Sequence, residues 1–253
     1  MAIALRNKDE IEAIRAANRL VARSLELMAS MVKAGVTTKE ISDEAERFFV
    51  SNGARPSFKG LYTPPFPAAL CASKNEVIIH GVPDETPLKE GDIIGLDIGA
   101  ELNGWYGDAA VTLPVGKISQ KDEKLIACAK DTLYEAIDAI RAGMRFKELS
   151  AVLEEAIVSR GFTPLRGYCG HGIGRKPHED PSILNYVEGA VNQGPKIKEG
   201  MVFCIEPMIC QKSGKFKTLA DRWSVVSEDG LNGSHYEHTI AIIGGRAEIL
   251  SLA

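Results

Sequence analysis

Lys33-Ala-Gly-Val-Thr-Thr-Lys-Glu-Ile-Ser-Asp-Glu-Ala-Glu-Arg-Phe-Phe-Val-Ser-Asn-Gly-Ala-Arg-Pro56 returns 108 positions later as Arg141-Ala-Gly-Met-Arg-Phe-Lys-Glu-Leu-Ser-Ala-Val-Leu-Glu-Glu-Ala-Ile-Val-Ser-Arg-Gly-Phe-Thr-Pro164, with ten of the twenty-four positions identical. In each copy one glycine (Gly35, Gly143) closes a preceding helix and another (Gly53, Gly161) stops the helix that follows. The chain is one unit written twice. Before the first copy, Ile11, Ile14, Leu20, Val21, Leu25, Met28 and Val32 mark an amphipathic helix from about Lys8 to Lys33, followed by a helix over Thr38 to Ser51. The second copy repeats the pair, with Ser119 as N-cap of a helix reaching about Arg141 and a further helix from Phe146 to Arg160.

After each helical pair the texture changes to short β-like runs. In the first half these are 68–80, 92–101 and 106–114; in the second they are 166–173, 201–210, 222–228 and 236–243. Helices then strands, twice, predict an α+β fold with an antiparallel central sheet and internal pseudo-twofold symmetry. Lys117 to Asp122 is the expected seam. No long linker interrupts the chain, which reads as one domain.

The duplication also pairs residues that can do chemistry. Lys89-Glu90-Gly91 leads through an apolar run to Asp97, and Lys198-Glu199-Gly200 leads to Glu206; His80-Gly81-Val82 answers His171-Gly172-Ile173; Asp108 answers Glu237. Asp97 and Asp108 flank Leu102-Asn103-Gly104, a hairpin signal. A turn at Asn103-Gly104 pairs Asp97 with Ala110, whereas a turn at Leu102-Asn103 sets the two aspartates opposite each other. In both registers they share a face. Two full charges about 4 Å apart at an effective dielectric near 20 repel by roughly 4 kcal/mol, so a positive group is expected between them.

Glu206 lies in Met201-Val-Phe-Cys-Ile-Glu-Pro-Met, a run with no other charge, and Glu237 precedes His-Thr-Ile-Ala-Ile-Ile. Four such carboxylates with His171 make a set of hard oxygen ligands and one imidazole. Two divalent ions would balance all four charges, and bridging carboxylates would hold them roughly 3.5–4 Å apart, a spacing suited to hydrolysis. His80 is expected near this site, and Gly170-His-Gly-Ile-Gly174 reads as backbone pressed close to something, with a loop returning His178. His235 and His238 are weaker candidates; His238 should point away from Glu237 on a strand. Asn75-Glu76, Arg175 and Glu179-Asp180 read as loop-stabilising or surface charges.

The composition excludes several alternatives. Thirty basic and 34 acidic residues give a formal charge of −4 with no basic run, against a nucleic-acid surface. No apolar run approaches the roughly 18 residues of a membrane span, and Met1-Ala-Ile-Ala-Leu-Arg6 lacks the pattern of a secretory leader, so a cytoplasmic protein is expected. Five scattered cysteines without a CxxC pair argue against a disulfide framework or a zinc finger. His171 and His178 are seven apart and glycine-flanked, unlike a zincin helix, and neither a phosphate loop nor a nucleophile elbow is present.

Asn75-Glu76-Val-Ile-Ile-His80-Gly, Asp97-Ile-Gly with Gly107-Asp108, Gly170-His171-Gly-Ile-Gly with His178, Phe203-Cys-Ile-Glu206-Pro and Tyr236-Glu237-His-Thr, in that order, resemble a type I methionine aminopeptidase of the short bacterial form. The resemblance covers essentially all 253 residues. It implies the pita-bread fold, a curved antiparallel sheet with outer helices, as a single catalytic domain over 1–253 with halves of about 1–118 and 119–253. It implies Asp97 on one metal, His171 and Glu206 on the other, and Asp108 and Glu237 bridging both; Mn, Fe, Co and Zn all suit such a set. Glu206 would also move the proton, His80 would hydrogen-bond the scissile amide, and His178 would contact its carbonyl oxygen. The methionine side chain would enter a pocket with contributions from Cys71, Phe66, Trp223 and Tyr62.

Phe66 stands where relatives often carry Tyr, Pro177 where a bulky apolar residue is common, and Leu61-Tyr-Thr-Pro-Pro-Phe-Pro is unusually proline-rich. The implied activity is removal of the initiator methionine from nascent chains, preferring a small second residue, by a cytoplasmic monomer near the ribosome. Two other readings compete with it: release of residues ahead of proline, and a catalytically silent pita-bread protein used for binding.

Overall fold

The computed structural model describes residues 3–253, so Met1 and Ala2 of the expected 1–253 domain, the first two residues of the N-terminal stretch read above, lie outside the described residues. The first half comprises α1 (Lys8–Met31), α2 (Thr38–Ser51), β1 (Arg55–Pro56), β2 (Cys71–Lys74), β3 (Val77–Ile79), β4 (Ile93–Leu102) and β5 (Trp105–Pro114). The second comprises α3 (Gln120–Ala139), α4 (Phe146–Ser159), β6 (Thr163–Pro164), β7 (Cys169–Gly172), β8 (Glu179–Leu184), β9 (Val202–Ile205), β10 (Met208–Cys210), β11 (Phe216–Thr218), β12 (Val225–Ser227), β13 (Gly233–His235), β14 (Glu237–Ile243) and β15 (Arg246–Ile249).

Local chemistry sets the helix ends. Asn7 and Thr37 cap α1 and α2 with side-chain oxygens that accept from Glu10 and Glu40 N–H, while those glutamates accept the cap residues' N–H. Ser119 caps α3 as expected, but that helix stops at Ala139, two residues short of Arg141.

Among the described residues one antiparallel nine-stranded sheet runs β1-β4-β5-β14-β9-β7-β8, with β2 on β4 and β15 on β14. It curls around a cleft and carries the helices outside. Leu25, Met28, Ile41 and Phe49 of α1 and α2 pack on Leu96 and Ile98 in one core; Leu133, Leu149 and Leu153 of α3 and α4 pack on Phe203, Ile205 and Ile240 in another. The halves therefore repeat in three dimensions: β4–β5 and β9–β14 are matching pairs, and β5 meets β14 at the join.

Leu102 pairs with Trp105, which makes Asn103-Gly104 a two-residue turn with φ of 53° and 79° and selects the register that sets Asp97 opposite Ala110. Pairing differs from expectation where strands are short. The 68–80 run divides into β2 and β3 at Asn75, and the 201–210 run breaks at Glu206-Pro207. Pro207 has no N–H to donate to the ladder, so Glu206 ends a strand instead of lying within one. Strand β8 lies over a stretch read as loop; its Pro181 and charged Glu179-Asp180 mask the pattern.

Candidate active site

One cross-strand row of residues organises the cleft. Register pairing sets Cys71 opposite Asp97, Asp97 opposite Ala110, and Ala110 opposite Glu237, across β2, β4, β5 and β14. His238 faces Ile205, so one step further along the same register Glu237 meets Glu206 at the end of β9. Alternation then sets Asp108 on the same face as Ala110, two residues along β5. The backbone of Asp108 is fixed from behind. A Cβ on the preceding Gly107 would lie 2.8 Å from Asn18 N, so α1 seats directly against β5 there. Asn18 Oδ1 accepts Asp108 N–H at 3.3 Å, and Asp108 carbonyl accepts Thr239 Oγ1–H at 2.8 Å.

His171 projects from β7 into the same space. Its Nδ1 donates to Gly172 carbonyl at 3.0 Å, because a carbonyl can only accept. That leaves the Nε2 lone pair 3.6 Å from Glu206 Oε1 and 4.0 Å from Glu237 Oε1. Ligating atoms of Asp97, Asp108 and Glu237 lie within 4.8 Å of one another, as do those of Glu206, His235 and Glu237, and those of His171, Cys204 and Glu237. Glu237 belongs to all three groups.

Burial makes this cluster costly on its own. Asp108 and Glu237 are 3% and 2% exposed, and Asp97 Oδ1, Asp108 Oδ1, Glu237 Oε1 and His235 Nε2 have no hydrogen-bond partner among the described residues. Burial raises Asp97 to about 7, against the pull of His235 and with a smaller push from Glu206. Burial raises Glu206 to about 8. Burial and the neighbouring carboxylates hold Asp108 and Glu237 well above the usual carboxylate range. Burial, then His178, pushes His171 down to about 3, so its ring is neutral and its Nε2 free to bind an ion. Unpaired carboxylate oxygens converging with unprotonated imidazole nitrogens are a donor set that fits divalent cations and little else.

The sequence placed all five of Asp97, Asp108, His171, Glu206 and Glu237 here, and all five line one cleft of about 560 Å³ with His80, His178, Cys71, Phe66, Tyr62 and Trp223. Phe66, Cys71 and Phe58 form a buried apolar wall against which Trp223 packs. His235 was underrated: its Nε2 lies 3.5 Å from Glu206 Oε2. Its position two residues before Glu237, hence on the same face, was the available signal. His238 does turn away, to Tyr134 Oη at 3.1 Å and Ser251 Oγ at 2.8 Å. Glu179 stabilises its loop, accepting the N–H groups of Arg175 and Lys176 and an ion pair from Arg6.

The matching of His80 with His171 does not survive folding. His171 lies on β7, which pairs β9, whereas His80 follows β3, with φ of 58°, in the segment beside β2, whose Gly81 carbonyl accepts Ala72 N–H. The two rings reach one cleft from non-equivalent places. His80 packs edge-on against Tyr168 and Trp223 and is pushed to about 4 by burial and then by His235 and His178.

Residues 12–243 match metallopeptidase family M24. The chain belongs to this family. It is 59% identical over 253 residues to a methionine aminopeptidase of Helicobacter pylori strain J99, covering 99% of both chains. A methionine aminopeptidase 1 of Bacillus subtilis is 44% identical over 242 residues, 96% of each chain. The solved methionine aminopeptidase of Thermotoga maritima superposes over the whole of both chains with a TM-score of 0.96 and 36% identity. The M24 chain described here therefore has the pita-bread fold, with its curled half-barrel sheet and outer helices.

Proposed function

We propose that this M24 metallopeptidase removes N-terminal methionine from polypeptides, preferring a small second residue. The observation that carries the reading is the row from Asp97 through Glu237 to Glu206, with buried carboxylate oxygens left unpaired beside a neutral His171. Asp97 would hold one divalent ion, His171 and Glu206 a second, and Asp108 and Glu237 both; Mn, Fe, Co or Zn suits the set. When bound, the ions supply positive charge that acidifies water and polarises a peptide carbonyl.

The chain's own residues do the rest. Glu206, at the end of β9 and beside Glu237, accepts the proton of the attacking water. His178 donates to the carbonyl oxygen as charge develops on it. His80 lines the same cleft and serves the departing amide nitrogen. Phe58, Phe66, Cys71 and Trp223 receive the unbranched thioether side chain, whose burial needs apolar contact and no hydrogen bond. One catalytic domain of two halves, acting as a cytoplasmic monomer on nascent chains near the ribosome, completes the reading.

The test is turnover of Met-Ala-Ser by chelated protein refilled with one metal at a time, beside Glu206→Gln. The substitution should retain the fold and lower kcat by about 10²–10⁴-fold. Near-normal turnover by the metal-loaded variant would remove Glu206 from the proton path. Cleavage of residue-Pro peptides in preference to Met-Ala-Ser would favour the proline-directed branch.

A further inference from the structure

Tyr62 sits where a methionine-pocket residue was expected, yet its polar end is committed elsewhere. Its hydroxyl lies 2.8 Å from His178 Nδ1, and its ring centroid lies 5.8 Å from the His178 ring and 6.1 Å from that of Trp223. Among the described residues no other hydrogen-bonding partner reaches the His178 ring; its other near neighbour is the His171 ring, at 4.4 Å between centroids. The loop that carries His178 is tied down through Glu179, not through His178 itself. Its orientation therefore depends on a contact from the opposite half of the molecule.

Tyr62, itself 59% exposed, is placed by the loop that carries it. It occupies the left-handed region with φ of 67°, an uncommon place for a bulky residue. It enters a closed loop in which Gly60 N–H donates to Phe66 carbonyl and Phe66 N–H to Leu61 carbonyl, both at 2.9 Å. Phe66 in turn packs edge-on against Trp223, at 5.2 Å between centroids. The proline-rich segment, unusual in the sequence, thus forms a bracket whose tip presents one hydroxyl to one imidazole nitrogen.

We propose that Tyr62 is a positioning residue for His178: its hydroxyl donates to Nδ1, fixing the tautomer that carries hydrogen on Nε2 and aiming that N–H into the cleft. A neutral imidazole has one donor and one acceptor nitrogen, so a donor at Nδ1 makes Nε2 the donor. This deepens the peptidase reading and rests on it, because only a substrate carbonyl beside Nε2 makes the choice of tautomer matter. With the hydroxyl removed, both tautomers become accessible and the ring is free to turn.

The experiment pairs nitrogen-15 NMR of the imidazole rings, on zinc-refilled protein, with kinetics on Met-Ala-Ser. In wild type, His178 should show a protonated Nε2 and an unprotonated Nδ1; in Tyr62→Phe the two forms should mix. The variant should lose about tenfold in kcat with KM changed less than about twofold. In a His178→Ala background the same substitution should cost nothing further, because Tyr62 acts through that ring. A wild-type His178 protonated at Nδ1 would overturn the proposal, as would an equal loss in both backgrounds or an unchanged kcat in Tyr62→Phe. The spectroscopic arm needs no turnover. A chain that cleaves nothing yet shows the expected tautomer would reject the peptidase reading while leaving the hydrogen bond assigned.

Discussion

Asp97 and Glu237, residues from opposite halves of the chain, are both register partners of Ala110. The methyl group of Ala110 is 1% exposed and its residue stands between the two strands' carboxylates along this row. Ala110→Leu would push an isobutyl group into the gap. The variant should stay folded at a cost of about 1–3 kcal/mol, yet bind fewer ions per chain after chelation and refilling. Metal content by elemental analysis checks this, and full occupancy would show that the row tolerates a larger spacer.

Metal removal should invert the response of stability to pH. Without ions, folded Asp97 and Glu206 hold protons up to about 7 and about 8, while in the unfolded chain they release them near 3.8 and 4.5. Between those limits the folded state binds more protons, so the chelated protein should lose stability as pH rises from about 5 to about 8. Ions replace the protons and should abolish that loss. Thermal melts at several pH values, with and without chelator, provide the measurement.

Gly107→Ala tests how Asp108 is seated. The added Cβ would meet α1 backbone at Asn18 and Ala17, which cannot swing aside as a side-chain tip would. A loss of roughly 1–3 kcal/mol in urea unfolding is expected, together with weaker metal retention because Asp108 must shift with its strand. Unfolding at the wild-type midpoint would mean that the helix gives way freely.

Tyr134→Phe probes the reverse face of β14. It removes the hydroxyl from His238 Nε2, on the side of the strand away from the cleft. Stability should fall by about 0.5–1.5 kcal/mol while kcat on Met-Ala-Ser stays at the wild-type level. A large fall in kcat without loss of stability would contradict the alternation of His238 and Glu237.

The duplication and the period-two pattern made the helical pairs, the matched carboxylates and the Asp97–Ala110 register readable, because each rests on spacing of a few residues. His235 was read only as a weaker candidate because its place depends on Thr112, whose hydroxyl donates to His235 carbonyl from 123 positions away, and its Nε2 lies 3.5 Å from Glu206 Oε2. The His80–His171 match misled because identical dipeptides were read as equivalent places, and only strand pairing tells a ladder residue from one beside it. Strand β8 and the two-residue strands β1 and β6 were invisible for a related reason: they are defined by partners, not by their own apolar pattern.

The join between β5 and β14 has one further consequence. Each repeated unit carries only one wall of the basin, Asp97 with Asp108 or Glu206 with Glu237. A lone ancestral copy would have been an open half-shell, and only a pair of copies meeting along this edge could enclose a reaction.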